Sequence, residues 1–138
     1  MADHVDRAKR SLIMGAVHSK NTSPEMAVRR IAHALGYRYR LHVSTLPGRP
    51  DLAFPARHKA IFVHGCFWHR HNGCRYATSP KTNCEFWEAK FRANVARDRR
   101  ARRELKKINW AVLTVWQCEL KKPETLTERL NDFLTNGR

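Results

Sequence analysis

Between Ile61 and Cys74 the chain reads IFVHGCFWHRHNGC, where three histidines and two cysteines crowd around Phe67 and Trp68. Thiolate and imidazole are the donors that zinc prefers, and four of them at tetrahedral corners make a closed structural site. Cys66, His71 and Cys74 stand with four and two residues between them, and Cys118 follows much later in the chain. A set of three cysteines and one histidine would tie this polar loop to the segment that ends near Trp116. Cys84 competes for the fourth position, but it falls in a helix cap, so Cys118 ranks ahead of it. Free thiols and a surface histidine are the plainer reading, and the density of soft donors in one loop argues against it. His64 and His69 are left over for chemistry. A zinc with four protein ligands has no open position, so it would be scaffold, with the reactive groups beside it.

The elements that must hold this stretch can be read from pattern and punctuation. Thr22-Ser-Pro-Glu25 has capping-box spacing with proline in the first turn, predicting a helix that turns Met26, Ala27, Ile31, Ala32 and Leu35 inward and stops at Gly36. Tyr37 to Val43 alternates as a strand, STLPGRP at 44–50 is turn chemistry, and short strands follow at Asp51–Phe54 and Lys59–Val63. The loop over 64–82 is too long for a passive connector, which suits a metal-clamped or functional segment. A second capping box, Thr82 to Glu85, opens a helix that runs to about Lys107. Trp110–Trp116 reads as a buried strand and Pro123–Leu134 as a closing helix. The order α, three strands, α, β, α predicts an α/β (mixed α+β) fold, a mixed sheet flanked by helices. Residues 1–20 read as an N-terminal arm with a helical run from Ala8 to Val17, ahead of a core over 21–135, all in one domain. The arm is either an amphipathic helix packed on the domain or a DNA-reaching segment that offers Ile13 or Met14 as an apolar wedge.

Charge narrows the class of partner. Lys plus Arg number 27 against 12 for Asp plus Glu, a net charge of +15, which favours a polyanion such as nucleic acid. Nine of those cations fall between Lys90 and Lys107, opposed only by Asp98 and Glu104. That helix face is either solvated surface or a phosphate track, and the overall excess favours the track. No apolar run is long enough to span a bilayer, and the N-terminus lacks the apolar core of a secretory signal, so the expectation is a cytoplasmic protein without membrane contact.

Pro50-Asp51 followed by a short apolar strand resembles the start of a PD-(D/E)xK nuclease core, although His64 stands where that pattern would continue into an acid and a lysine. The combined string is more specific. LPGRPD, then IFVHGCFWH, then EFW on a basic helix, then VLTVWQCEL resembles the very-short-patch repair (Vsr) mismatch endonucleases from about Asp6 to Phe133. The resemblance implies a restriction-endonuclease-like fold with one structural Zn²⁺. It also implies Mg²⁺-dependent nicking of double-stranded DNA 5′ of the thymine in a T·G mismatch left by 5-methylcytosine deamination. Asp51 matches the Mg²⁺ carboxylate, His69 the catalytic histidine, His64 an assisting histidine and Glu25 an acid that helps hold metal waters. Val63 stands where relatives commonly carry threonine, so only its backbone carbonyl could serve the Mg²⁺. The loop also has an extra residue near Asn72-Gly73. The aromatic trio Phe67, Trp68 and Trp87 matches a wedge into the base stack, and Lys90 and Asn94 match contacts to the mismatched pair. A bacterial protein, associated with the nucleoid when bound to DNA, follows from the same resemblance.

Two other functions fit parts of the sequence. A less selective restriction-type nuclease would share Asp51 and His69 without the wedge. A zinc-stabilised DNA-binding module without catalysis would keep the charge and the cysteines, with Asp51 only capping a turn. A single nick needs one active site, so a monomer is expected, and the sequence leaves open whether a mismatch-repair matchmaker protein assists.

Overall fold

The computed structural model describes residues 22–67, 69–71, 73–74, 77–78 and 82–136. The expected helical run at Ala8–Val17 and the Met14 arm lie outside the described residues. The first described helix, α1 (Ser23–Ala34), begins as its cap demands: the Thr22 Oγ1 accepts the Glu25 N–H at 3.4 Å, and proline occupies the first turn. Only half of the capping box forms, because the Glu25 carboxylate pairs with Arg29 and His42 instead. Gly36 follows the helix at φ +90°, a left-handed exit that glycine adopts without a Cβ penalty.

Strand β1 (Arg40–Leu41) is much shorter than the expected 37–43 strand, because His42 takes φ +46° and breaks the extended run. It pairs antiparallel with β2 (Leu52–Phe54), which pairs antiparallel with β3 (Lys59–His64). Helix α2 (Cys84–Lys107) then carries the chain over, and β4 (Ala111–Trp116) adds parallel to β3 in register from Lys59↔Ala111 to His64↔Trp116. The expected second capping box does not form. The chain enters α2 through Asn83 at φ +53° with no side-chain cap bond, so Thr82 is displaced from the cap position. Asparagine tolerates that left-handed backbone better than most side chains do. Helix α3 (Pro123–Thr135) closes the described chain, giving the mixed α/β sheet flanked by helices that the element order implied.

Strand alternation splits the apolar residues between two layers. Leu52, Phe54, Ile61 and Val115 face Val28 and Ala32 of α1 and Leu126, Leu130 and Leu134 of α3, all of them buried. Ala60 and Phe62 point the other way, onto Ala101 and Leu105 of α2. Each fully buried leucine or isoleucine contributes about 1.5–3 kcal/mol, so the two faces together pin the sheet between helices. β4 is less enclosed than expected, with only Val115 fully buried and the rest half-buried. Lys59 is buried and its Nζ donates to the Phe133 and Asn136 carbonyls, while the Arg57 Nη1 donates to the Leu134 carbonyl at 2.9 Å. These cations satisfy carbonyls that the end of α3 cannot pair within the helix.

The turn before Asp51 is set by its sequence. The Arg49 N–H donates to the Leu46 carbonyl at 3.1 Å across Pro47-Gly48, and Gly48 has φ +74°. Proline followed by a positive-φ glycine is the type II signature. A Cβ on Gly48 would lie 2.2 Å from the Ala101 Cβ and 3.1 Å from the Phe62 Cζ. Gly48→Ala should therefore destabilise the fold by about 2–4 kcal/mol, through strain and overpacking together, as read from urea denaturation.

Candidate functional site

The parallel register of β3 and β4 delivers the chain ends that follow them to one edge of the sheet. Past β3 come Gly65 and Cys66; past β4 comes Cys118 in a short 3₁₀ turn over Gln117–Lys121. The donor atoms of Cys66, His71, Cys74 and Cys118 all lie within 4.8 Å of one another, and the Cys118 Sγ stands 3.4 Å from the His71 Nδ1. Tetrahedral zinc with bonds of about 2.3 Å to sulfur and about 2.0 Å to nitrogen implies donor separations of about 3.5–3.8 Å, so the set fits the ion. Burial pushes the Cys66 thiol up to about 12 and raises Cys118 as well, so a cation must drive their deprotonation. The His71 ring stacks on Trp116 with centroids 4.2 Å apart, which orients its donor. Cys84 is exposed at the start of α2, away from this cluster, in keeping with its lower rank.

The loop is also braced by a residue that sequence reasoning passed over. The Arg70 guanidinium donates to the carbonyls of Thr78 at 2.9 Å and Ala77 at 3.1 Å, and lies over the Phe91 ring at 4.2 Å.

His64 ends β3, and His69 follows one turn later. Their rings stack at 3.8 Å with an angle of 5°. The Asp98 Oδ2 is 2.7 Å from the His69 Nδ1, and its Oδ1 is 3.7 Å from the His64 Nε2. From sequence, Asp98 was only a minority charge in a basic helix. An acid placed against the trend of its own helix was the available signal. The structure turns it inward, so the carboxylate fixes one nitrogen of His69.

Asp51 immediately precedes β2, and its Oδ2 accepts the Val63 N–H at 2.6 Å. Val63 thus touches the site through its amide. Burial raises the Asp51 carboxyl from 3.8 to about 7, only partly opposed by the Val63 hydrogen bond and the Arg29 charge. Glu25, 2 % exposed, projects from α1 into the same region and pairs with Arg29. Its Oε2 lies 2.6 Å from the Nε2 of His42, and Glu25, His42 and Asp51 present donor atoms within 4.8 Å of one another. Two carboxylates this close, with oxygen donors directed at one point, suit a hard divalent cation. The alternation of 37–43 placed His42 only on the strand face shared with Arg38 and Arg40; it takes a left-handed φ here.

Phe67 meets Trp87 edge-on at 5.7 Å and Phe91 at 5.1 Å, so the zinc loop and the start of α2 share one aromatic cluster. Trp68 and Met14 lie outside the described residues. Lys90 is exposed, whereas Asn94 is 3 % exposed, so only the first of this pair is open at the surface. The other eight cations of α2 from Arg92 to Lys107 are exposed, and with Asp98 turned toward His69 they form a nearly unopposed basic face. No helix among the described residues is long and apolar enough to cross a membrane.

Comparison with known proteins follows the same residues. A family model described as DNA mismatch endonuclease Vsr matches residues 2–75. The chain is 48% identical to the type II nicking enzyme V.XorIIP of Xanthomonas oryzae pv. oryzae, over 97% of this chain and 98% of that protein. It is 40% identical to the DNA mismatch endonuclease Vsr of Escherichia coli, over 97% of this chain and 88% of that protein. A nicking enzyme of Neisseria meningitidis, V.NmeAIP, is 40% identical over 95% of this chain and 93% of its own length.

The elevated Asp51 gives a signed stability prediction. A raised folded-state value means that its contribution is fully present below about pH 4 and is lost as pH rises through about 7. Without divalent cation, Asp51→Asn should therefore match wild type at pH 4 and exceed it by about 1–3 kcal/mol at pH 8. Thermal or urea unfolding at the two pH values in chelator checks this.

Proposed function

Because this chain belongs to the Vsr family of DNA mismatch endonucleases, we propose that it nicks duplex DNA on the 5′ side of the thymine in T·G mismatches, with Mg²⁺ at Asp51. The chain is a DNA endonuclease of mixed α/β fold, and what is proposed is its substrate, its metal and the roles of its residues. The observation that carries the proposal is the nearness of two partly buried clusters, Asp51 with Glu25 and His69 with Asp98, close enough that the charge of His69 acts on Asp51.

Bound Mg²⁺ would neutralise charge on the scissile phosphate and lower the cost of bringing a water to phosphorus. Asp51 would hold the ion directly, the Val63 carbonyl would add an oxygen donor, and Glu25 would help hold the ion's waters. His69 takes the proton from the attacking water as the P–O ester bond breaks and its oxygen leaves. Asp98 serves as a positioning residue: it holds the His69 Nδ1, so the Nε2 is the nitrogen presented for the proton. His64, stacked on His69, assists at the phosphate. Zn²⁺ on Cys66, His71, Cys74 and Cys118 holds the loop that carries His69 and Phe67.

Phe67, Trp68 and Trp87 form the wedge beside the mismatch, with Met14 of the arm acting from elsewhere on the duplex. Unstacking costs least where pairing is already distorted, so wedging itself selects mismatches. Lys90 meets the carbonyl edges of the wobble pair. Asn94 must become exposed on binding to join it, since its side chain is buried in this state. The basic face of α2 follows the phosphates. One chain with one site makes one nick, so the enzyme acts as a monomer, with a mismatch-repair matchmaker as an optional partner.

A Mg²⁺-dependent nicking assay on T·G and T·A duplexes tests this reading. Wild type should cut the mismatch selectively, and Asp51→Ala and His69→Ala should each lose roughly 100-fold or more in rate. Equal cleavage of matched duplex would overturn the mismatch specificity, and full activity in Asp51→Ala would overturn the catalytic assignment. For the zinc site, mass spectrometry of metal content should find one zinc in wild type and in Cys84→Ser. Cys118→Ser should lose the metal and, with it, several kcal/mol of the order it imposes, on the scale of ~3 kcal/mol or more.

A further inference from the structure

His42 has no part in the reading above, yet it stands at the metal carboxylate. Its backbone N–H donates to the Asp51 carbonyl at 3.2 Å, and its left-handed φ ends β1 at the point where an extended residue would have carried the chain on. The imidazole is 13% exposed. Its Nε2 is buried and approaches the Glu25 Oε2 to 2.6 Å without the alignment of a hydrogen bond. A histidine serving Glu25 only as an ion-pair partner would point an N–H along that line, since alignment is what gives such a bond its strength. Arg29, one turn along α1, already pairs with Glu25 and supplies that neutralisation. Three donor atoms, from Glu25, His42 and Asp51, converge within 4.8 Å instead. Donor atoms gathered this closely can be drawn onto one cation, with the Nε2 and Oε2 parting to about 3 Å, the separation of neighbouring ligands on an ion with bonds of about 2.1 Å.

We propose that His42 is a further protein ligand of the divalent-cation site at Asp51, beside Glu25, and that its nitrogen makes this site favour first-row transition ions such as Mn²⁺ over Mg²⁺. The proposal rests on the reading of Asp51 as the metal carboxylate. Magnesium is a hard ion that takes oxygen donors and gives up its water reluctantly. An imidazole in the ligand set adds little for magnesium, while first-row transition ions accept nitrogen readily. An imidazole added to the oxygen donors at Asp51 therefore makes the site less selective for magnesium than an all-oxygen set.

The test uses the full chain with its zinc in place and no DNA. Mn²⁺ and Mg²⁺ are titrated by calorimetry, and the Mn²⁺ complex is examined by pulsed electron paramagnetic resonance for hyperfine coupling from a directly bound nitrogen. Wild type should show that coupling. His42→Gln should lose it, with Mn²⁺ affinity falling roughly tenfold or more and Mg²⁺ affinity falling less. His69→Ala should keep the coupling, which separates His42 from the neighbouring histidine pair. Coupling that persists in His42→Gln, or is absent from wild type while Mn²⁺ binds in an Asp51-dependent manner, overturns the proposal and leaves the role of Asp51 standing. Equal losses for both ions would show His42 to be merely structural and also overturn it. If Asp51→Ala changes neither titration, the Asp51 reading fails and this proposal with it. The wild-type spectrum can overturn the proposal without any variant, so poor folding of His42→Gln does not shield it.

Discussion

The parallel pairing of β3 with β4 is the contact on which the site depends. Its register, ending at His64↔Trp116, sets Cys66 and Cys118 side by side although more than fifty positions of chain separate them. It also places the Trp116 ring where it can stack on His71 and meet His64 edge-on at 5.3 Å. A slip of one residue would turn every side chain of β4 to the opposite face and separate both contacts. Burial on the two faces prevents the slip, since Val115 belongs to the α1–α3 layer and Val112 to the α2 layer. The hydrophobic layers thus decide the register, and the register assembles the metal cluster.

Each cluster uses a different physical device. The sulfur-rich set brings together four donors, and a cation there would replace the protons on its buried thiols. The imidazole pair is held by one carboxylate from α2, which couples His69 to the basic helix. Asp51 gains its poise from desolvation: burial that keeps its carboxyl protonated to about pH 7 also raises its appetite for a compensating cation. The three lie side by side because β2, β3 and β4 are neighbours in one sheet and their chain ends emerge at the same edge.

Electrostatics at the surface and in the site act in opposite senses. The +15 net charge favours a polyanion, and α2 displays its cations outward. The acids Glu25, Asp51 and Asp98 are gathered at the sheet edge instead, where Glu25 pairs with Arg29 and Asp98 with His69. This separation brings a phosphate backbone toward a site that would otherwise repel it.

Much of the architecture was legible in the chain itself because it rests on local rules. The Thr22 cap, the Pro47-Gly48 turn, the apolar run of β3, the C-terminal end of α2 and the ends of α3 are fixed by residues next to one another, and donor chemistry singled out Cys66, His71, Cys74 and Cys118. The ranking of Cys118 ahead of Cys84 also came from sequence, since Cys84 falls in a helix cap. What the sequence left open depended on long-range contact or on a single backbone angle. Asp98 looked like surface charge until helix packing turned it onto His69, because which face of α2 meets the sheet is settled by Phe91, Ala101 and Leu105 together. His42 read as one position on the Arg38–Arg40 face of a strand until one positive φ brought it to Glu25 and Asp51. Asn94 shares a helix face with exposed Lys90, yet tertiary packing buries it. Residue types determined which chemistry this chain could hold; only the tertiary structure decided which groups share it, because proximity across the sheet is set by burial and register rather than by spacing in the chain.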